Sequence, residues 1–147
     1  MYKILLAFLL LLTLADHSFA QELSVYSSPY SMDSTLSKVY STLEKNNLKV
    51  VETTEYASEK EEKKFSGTIY VIGFESPAAM DLASCEPTAM LDMPLKLILW
   101  TEYGDTYIGF MPPREMKRRF MVRECEDVLN LLSKTVLKVV NDVIRKK

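Results

Sequence analysis

The segment PLKLILWTEYGDTYIGFM, from Pro94 to Met111, decides the fold. Along its first half, successive side chains of a strand would point to opposite faces, so that three leucines fall on one face while Ile98 and Trp100 fall on the other. A strand that is apolar on both sides is typical of the centre of a sheet covered on both faces. Tyr103, Gly104 and Asp105 then predict a tight turn into a second strand, so the segment predicts an antiparallel β-hairpin.

Three further strands and one helix are expected before this hairpin. The expected strands are LSVYS (residues 23–27), LKVVETTE (48–55) and GTIYVIGF (67–74). Between the first two, Ser31 or Asp33 can cap a helix that ends at Asn46 and Asn47. Its apolar stripe consists of Leu36, Val39, Tyr40 and Leu43. The charged stretch 59–67 predicts a solvated hairpin loop, and a short helical or irregular piece is expected at 78–83.

The longest helix is expected from Glu126 to Arg145, near the C-terminus. Its apolar residues cover well over half of the helix circumference, which is wider than one sheet face requires. Either other elements wrap this helix, or part of it meets a second subunit and forms a homodimer. The order of elements predicts a two-layer α+β single domain over residues 21–147, with a mostly antiparallel or mixed sheet packed by the first helix and the long C-terminal helix.

The N-terminal twenty residues have the pattern of a secretory signal peptide. Lys3 precedes an unbroken apolar run, and the small residues Ser18 and Ala20 fit a cleavage site before Gln21. We therefore expect a signal peptide at residues 1–20 and an exported protein, periplasmic or secreted. No later segment reaches the roughly 18 consecutive apolar residues of a membrane span, so no transmembrane segment is expected after cleavage.

Charge and histidine content exclude several classes of function. The formal net charge is −2, which makes nucleic acid a poor partner. The chain has one histidine, His17, which lies in the predicted signal peptide. The mature chain would therefore lack Ser-His-Asp or Cys-His catalysis and the common zinc sites. With no recognisable catalytic motif, an enzyme is not favoured, and no cofactor or catalytic residue is expected.

Cys85 and Cys125 are the two cysteines of the chain. An even count in an exported protein favours a structural disulfide between them. Two inert buried thiols are the alternative, and a reactive thiol is a third, because Cys125 lies at a helix start near Arg123.

Six methionines, together with Cys85, suggest a different chemistry. Thioethers together with cysteine are soft ligands for Cu(I). The simpler interpretation is that methionine fills gaps in the core, because these residues lie among leucines and alanines. The methionines concerned are Met80, Met90, Met93, Met111, Met116 and Met121.

A cluster of basic residues follows the hairpin. It could hold an anion or a lipid headgroup, although a solvated helix face is the simpler interpretation. Its members are Arg114, Lys117, Arg118, Arg119 and Arg123. The carboxylates of Glu102 and Asp105 flank the hairpin turn, and at this spacing they are most simply turn residues rather than a glycosidase pair.

The middle third of the chain resembles the family catalogued as domain of unknown function 302. That family has a Phe-Gly-Asn-Pro turn, a Pro-x-Ala-x-Leu-Asp-Leu-Pro-Leu-Lys segment and a strand that ends in a glycine-containing turn. The matching residues are Phe74, Ser76, Pro77, Pro87, Leu91, Asp92, Pro94, Leu95, Lys96, Trp100, Glu102 and Gly104. Glu75 and Ser76 replace the usual Gly-Asn, and Met93 replaces a leucine.

The resemblance implies a small α+β fold, often dimeric, with no agreed activity. Pro87 and Pro94 would then frame a connection across one end of the sheet, with Met90, Leu91 and Met93 as apolar plugs beneath it. Our leading hypothesis is a non-enzymatic exported module that binds a small apolar or anionic ligand, or a second copy of itself through the C-terminal helix. The alternative is a soft-metal (copper) or redox accessory protein that uses Cys85, Cys125 and the methionines.

Overall fold

The computed structural model describes residues 23–57 and 67–146, and the predicted signal peptide and most of the charged loop lie outside this range. The strands are β1 (Ser24–Ser28), β2 (Lys49–Ala57), β3 (Thr68–Glu75), β4 (Leu95–Glu102) and β5 (Asp105–Phe110). The helices are α1 (Met32–Lys45), α2 (Ala78–Cys85), α3 (Met116–Arg119) and α4 (Glu126–Ile144). Two 3₁₀ segments, Pro87–Asp92 and Pro113–Glu115, connect them.

The described strands form one antiparallel sheet in the order β1-β5-β4-β3-β2. Strand β4 occupies the centre, as predicted, and joins β5 through a hairpin turn. Tyr103 and Gly104 both adopt positive φ, 52° and 91°, as a two-residue turn of type I′ requires. The predicted fold class, a single α+β domain with a mostly antiparallel sheet, is therefore confirmed.

One face of this sheet holds the hydrophobic core against the helices. The leucines of β4 alternate inward, and they are joined by inward residues of β3 and β5. The buried strand residues are Ile72, Phe74, Leu95, Leu97, Leu99, Ile108 and Phe110. Val39 and Leu43 of α1 and the buried stripe of α4 belong to the same cluster.

The other face of β4 departs from the prediction. Ile98 and Trp100 were expected to lie under a second covering layer, but they are half-buried and lie outside the core cluster. Among residues 23–57 and 67–146, the α1 and α4 helices contribute their buried residues to the leucine face alone. No helix among the described residues therefore covers this second, apolar face of the sheet.

Helix α1 begins and ends where the sequence predicts. Ser31 is its N-cap and accepts a hydrogen bond from the backbone N–H of Ser34, and Asn46 is the C-cap. Asn47 follows in the left-handed region with φ of 55°. One member of the predicted stripe lies at its margin: Tyr40 is exposed, and its hydroxyl bonds Thr53 of β2 at 3.0 Å.

The wide apolar stripe of α4 is mostly covered within the chain. Helices α1 and α2, a 3₁₀ segment and β1 all contact it. Its buried residues are Leu129, Leu132, Val136, Val139, Val140 and Val143. Leu131 and Leu137 remain 52% and 38% exposed. Neighbouring elements thus account for most of the excess width that suggested a dimer through this helix. Within the described residues, no helix is long and apolar enough to span a membrane.

Candidate functional site

A groove of about 540 Å³ lies at the end of the sheet where β2 begins and β3 ends. Helix α2 forms one wall, and the first 3₁₀ segment and the start of β4 form another. Its lining residues are Asn47, Lys49, Val51, Glu75, Ser76, Pro77, Ala79, Met80, Met90, Met93 and Pro94. This volume falls within the range of small-molecule sites, which are commonly about 300–1,000 Å³.

The shape of the groove floor depends on close packing at Gly73 of β3. A Cβ atom at this position would lie 2.5 Å from Cγ of Glu52 and 2.9 Å from Cγ of Pro94. Only glycine lets both neighbours approach this strand so closely. Pro94 is therefore held against the sheet, and its ring contributes to the lining of the groove.

The turn between β3 and α2 carries the residues that replace the family's Gly-Asn. Ser76 is buried, and its carbonyl accepts a hydrogen bond from the N–H of Ala79 at 2.9 Å, which starts α2. Glu75 is exposed and pairs in register with Lys49 of β2. The groove thus combines one acidic and one basic side chain with a largely apolar lining.

The fold brings together three of the methionines singled out in the sequence. Met80 of α2 is 71% exposed, whereas Met90 and Met93 are partly buried in the opposite wall. The predicted plug role of Leu91 is wrong, because its side chain is 83% exposed. In a 3₁₀ segment of three residues per turn, neighbouring side chains point in different directions, and Ala89 takes the inward position instead.

The other methionines lie away from the groove. Met116 is buried in the core, and Met121 is 77% exposed. Met111 follows β5. No group of three or more His, Cys, Asp or Glu side chains in the described part of the chain is arranged to hold a metal ion.

Cys85 and Cys125 lie at disulfide distance, with their Cα atoms 6.1 Å apart. Cys85 is the last residue of α2, and Cys125 is the N-cap of α4. This separation falls within the usual range for a disulfide, about 4.4–6.8 Å. The pair connects the helix that walls the groove to the longest helix of the core.

The basic cluster is largely engaged in ion pairs. Lys117 contacts Glu126 at 2.9 Å. Arg118 contacts Glu115 at 3.2 Å, and Arg119 contacts Asp92 at 2.6 Å. Arg114 and Arg123 are exposed on the same segment. An anion that binds this cluster would have to compete with the carboxylates already there.

Glu102 and Asp105 face each other across the β4–β5 turn, where they are register partners. Glu102 also accepts a hydrogen bond from the indole N–H of Trp100 at 3.4 Å. These positions agree with a role in the hairpin turn.

Comparison with known proteins identifies the class of this chain. The model for the family described as "Domain of unknown function DUF302" matches residues 24–139. Because the match spans well over half of the sequence, the chain belongs to this family, and the resemblance found in the sequence is confirmed.

A solved structure has the same fold. The crystal structure of an uncharacterized conserved DUF302 protein from Bacillus stearothermophilus matches with a TM-score of 0.74 and 18% sequence identity. The alignment covers 86% of this chain and 100% of that chain. At this identity, the likeness shows the fold alone. No curated protein matches the chain.

The sequence did not indicate the groove as a site. Lys49 and Val51 come from β2 and Ala79 from α2, and their local patterns are those of ordinary strand and helix residues. The density of methionines near Met90 was the one signal that pointed to this part of the chain.

Proposed function

We propose that this chain is an exported, non-enzymatic module that binds a small molecule with an apolar body in the groove between α2 and the start of β4. The observation that carries this proposal is the groove itself, which is lined mainly by methionine, valine, alanine and proline. Export is supported by the signal-peptide pattern of residues 1–20 and by two cysteines at disulfide distance.

The lining suits a ligand of this chemistry for two reasons. Methionine side chains are flexible and polarizable, so Met80, Met90 and Met93 can adapt to an apolar surface of irregular shape. Lys49 at the rim can pair with an anionic end of the same molecule, while Glu75 disfavours a second negative group. An amphiphile with a single negative charge fits both features.

The test uses the anionic dye 1-anilinonaphthalene-8-sulfonate, which combines an apolar body with one negative charge. We expect Met80→Glu to weaken dye binding about tenfold, or about 1.4 kcal/mol, because it puts a charge against the apolar body. Met121→Glu is the matched control, because the side chain of Met121 is similarly exposed and lies outside the groove. Equal effects of the two variants, or no binding by the unmodified protein, would reject the groove as the site.

Export is tested separately. The mass of the protein recovered after expression with its own N-terminus should correspond to cleavage after Ala20. A mass that retains residues 1–20 would contradict the exported assignment without bearing on the groove.

A second candidate is a Cu(I)-binding accessory protein, which is favoured by the presence of three methionines in one groove. Because Cys85 and Cys125 face each other at disulfide distance, this candidate depends on thioether sulfurs rather than on thiolates. Competition with bicinchoninate would measure Cu(I) affinity directly. Replacing Met80, Met90 and Met93 together with leucine should abolish binding, whereas Met121→Leu should not. Absence of Cu(I) binding by the unmodified protein would dismiss this candidate.

A further inference from the structure

Both walls of the groove belong to one connection, residues 76–94, which joins β3 to β4. Its first half is α2, which contributes Ala79 and Met80 to the lining. Its second half is the 3₁₀ segment with the residues that follow, and this half contributes Met90 and Met93. The two ends of the connection are fixed, because β3 and β4 pair with each other in the sheet. The width of the groove therefore depends on what holds the residues between these ends.

Few side chains of this connection are anchored in the core. Leu82 is the one large apolar side chain of residues 76–94 that is fully buried, and the other buried apolar side chains are alanines, which bury little surface. Helix α2 has eight residues, and its N-cap, Pro77, makes no side-chain hydrogen bond to the helix. A helix of this length is unstable without tertiary contacts. The second half is also tied to α3, by the ion pair between Asp92 and Arg119 at 2.6 Å.

Open space borders α2 on two sides. The groove lies along one side, and a second cleft of about 280 Å³ separates the start of the helix from α4. Ala78 lines this second cleft on the side of α2, and Leu131 and Thr135 line it on the side of α4. Ser76 and Pro77 line both clefts. The start of α2 therefore has room to move on either side without displacing the core.

A disulfide between Cys85 and Cys125 would join the middle of this connection to the core. Cys85 is the central residue of 76–94 and the last residue of α2, whereas Cys125 is the N-cap of α4 and belongs to the core cluster. Because the chain has two cysteines, their bond is the one covalent link that can hold the two walls where they meet. Cys85 is exposed and Cys125 is 2% exposed, so an external thiol reaches the sulfur of Cys85.

We propose that this disulfide is a redox switch of the groove: the groove binds its ligand while Cys85 and Cys125 are bonded, and it loosens when they are reduced. The proposal rests on the ligand-binding groove of the proposed function and adds its regulation. Once the disulfide is reduced, the connection is held at its ends and by its non-covalent anchors, so α2 opens and Ala79 and Met80 leave the wall. The apparent affinity then falls with the fraction of molecules whose wall is in place, and a fraction of about one in ten raises the Kd about tenfold.

The reductant is a dithiol, and the exchange balances in two steps. A thiolate of the dithiol attacks the sulfur of Cys85, the S–S bond breaks, and its electron pair leaves on the sulfur of Cys125. The second thiol of the reductant then displaces Cys85 from the mixed disulfide and closes a cyclic disulfide. Two electrons have passed to the protein, and the two protons of the dithiol end on Cys85 and Cys125.

Titration with 1-anilinonaphthalene-8-sulfonate tests the switch in the oxidised protein and in the protein reduced with dithiothreitol. We expect the Kd to rise about tenfold on reduction and to return on reoxidation. The variant Cys85→Ala/Cys125→Ala should bind as weakly as the reduced protein and should not respond to dithiothreitol, which controls for an effect of the reductant on the dye. Met80→Glu should weaken binding by the oxidised protein far more than binding by the reduced protein. Equal Kd values for the oxidised and reduced unmodified protein would overturn the proposal.

Amide hydrogen exchange provides a readout that does not depend on the dye. At short exchange times, the amides of α2 should exchange in the reduced protein and stay protected in the oxidised protein, while β3 and β4 stay protected in both. Protection of α2 in the reduced protein, or loss of protection in α2, β3 and β4 together, would overturn the proposal. If the oxidised protein binds no dye but reduction frees α2 alone, the proposed function fails and the redox control of this connection stands.

Discussion

The hydroxyl oxygens of Ser28 and Thr35 lie 2.7 Å apart in the interior, at the point where β1 passes into α1. The N–H of Tyr30 donates to Oγ of Ser28, and the hydroxyl of Thr35 donates to the carbonyl of Tyr30. Because Thr35 has one hydroxyl proton, Ser28 is the donor between the two hydroxyls. The three residues form a closed ring of hydrogen bonds that fixes the turn between β1 and α1.

Thr35→Val should destabilise the protein by about 1–3 kcal/mol, because it keeps the shape of the side chain but leaves the buried Ser28 hydroxyl without its acceptor. Urea denaturation measures the effect. The double variant Ser28→Ala/Thr35→Val should lose less stability than the two single variants lose in sum. Ser37→Ala, an exposed change on the same helix, serves as the control and should leave stability within about 0.5 kcal/mol. A Thr35→Val protein as stable as the control would rule out the ring as a stabilising element.

Cys85 and Cys125 are expected to form a disulfide in the exported protein. With a sequence separation of 40, the chain-entropy estimate of the stabilisation is about 4 kcal/mol. Replacing both with alanine should lower the melting temperature while the circular dichroism spectrum is retained, and the reduced unmodified protein should match this variant. Free alkylation of two thiols in the native protein would show that the disulfide is absent.

Gly73→Ala should destabilise the fold by about 1–3 kcal/mol, because the added carbon overlaps Glu52 and Pro94. The free energy of unfolding measures this cost. Adding Glu52→Ala should recover part of the loss, since it removes the nearer of the two contacts. If Gly73→Ala leaves the free energy of unfolding unchanged, β3 can accommodate a Cβ atom at this position despite the close approach of Glu52 and Pro94.

The pKa of Asp142 is held below its ordinary value, chiefly by the hydrogen bond from Lys138 at 2.7 Å and further by the charges of Lys138, Arg145 and Lys45. Partial burial opposes this shift. The folded state therefore favours the carboxylate, so the contribution to stability is present above the ordinary pKa and is lost as the pH falls through the lowered value, below about pH 4.

Lys138→Met should raise the pKa of Asp142 toward its ordinary value, which side-chain carboxyl NMR titration would detect. The same substitution removes the hydrogen bond from Lys138 to Asn46 at the end of α1, and that loss should be independent of pH. An unchanged titration of Asp142 in the variant would mean that Lys138 does not set its pKa.

The sequence predicted well the features that depend on neighbouring residues. Ser31 as a helix cap, Asn47 in the left-handed region, and the turn at Tyr103 and Gly104 all follow from local backbone preferences. The alternation of leucines in β4 identified the core face correctly because it depends only on the pleat of the strand.

Features that depend on distant residues could not be predicted in the same way. The second face of β4 was expected to be covered because local apolarity does not distinguish contact with a helix from contact with adjacent strands or with another molecule. The groove likewise combines side chains from residues 47–51, 75–80 and 90–94, whose proximity depends on the strand order. The predicted plug role of Leu91 was wrong because the connection forms a 3₁₀ segment, in which Ala89 rather than Leu91 is the buried residue.

The position of β1 at the edge of the sheet determines when the protein can finish folding. Ser24 pairs with Phe110, and strands β2, β3 and β4 all lie between these two residues in the sequence. During synthesis, β1 emerges first but has no partner until β5 has also emerged. Pairing between sequence-distant strands is slow, on the order of milliseconds to seconds. Strand β1 therefore stays unpaired until residues 105–110 have been made, so the sheet is completed only after the four other described strands are available.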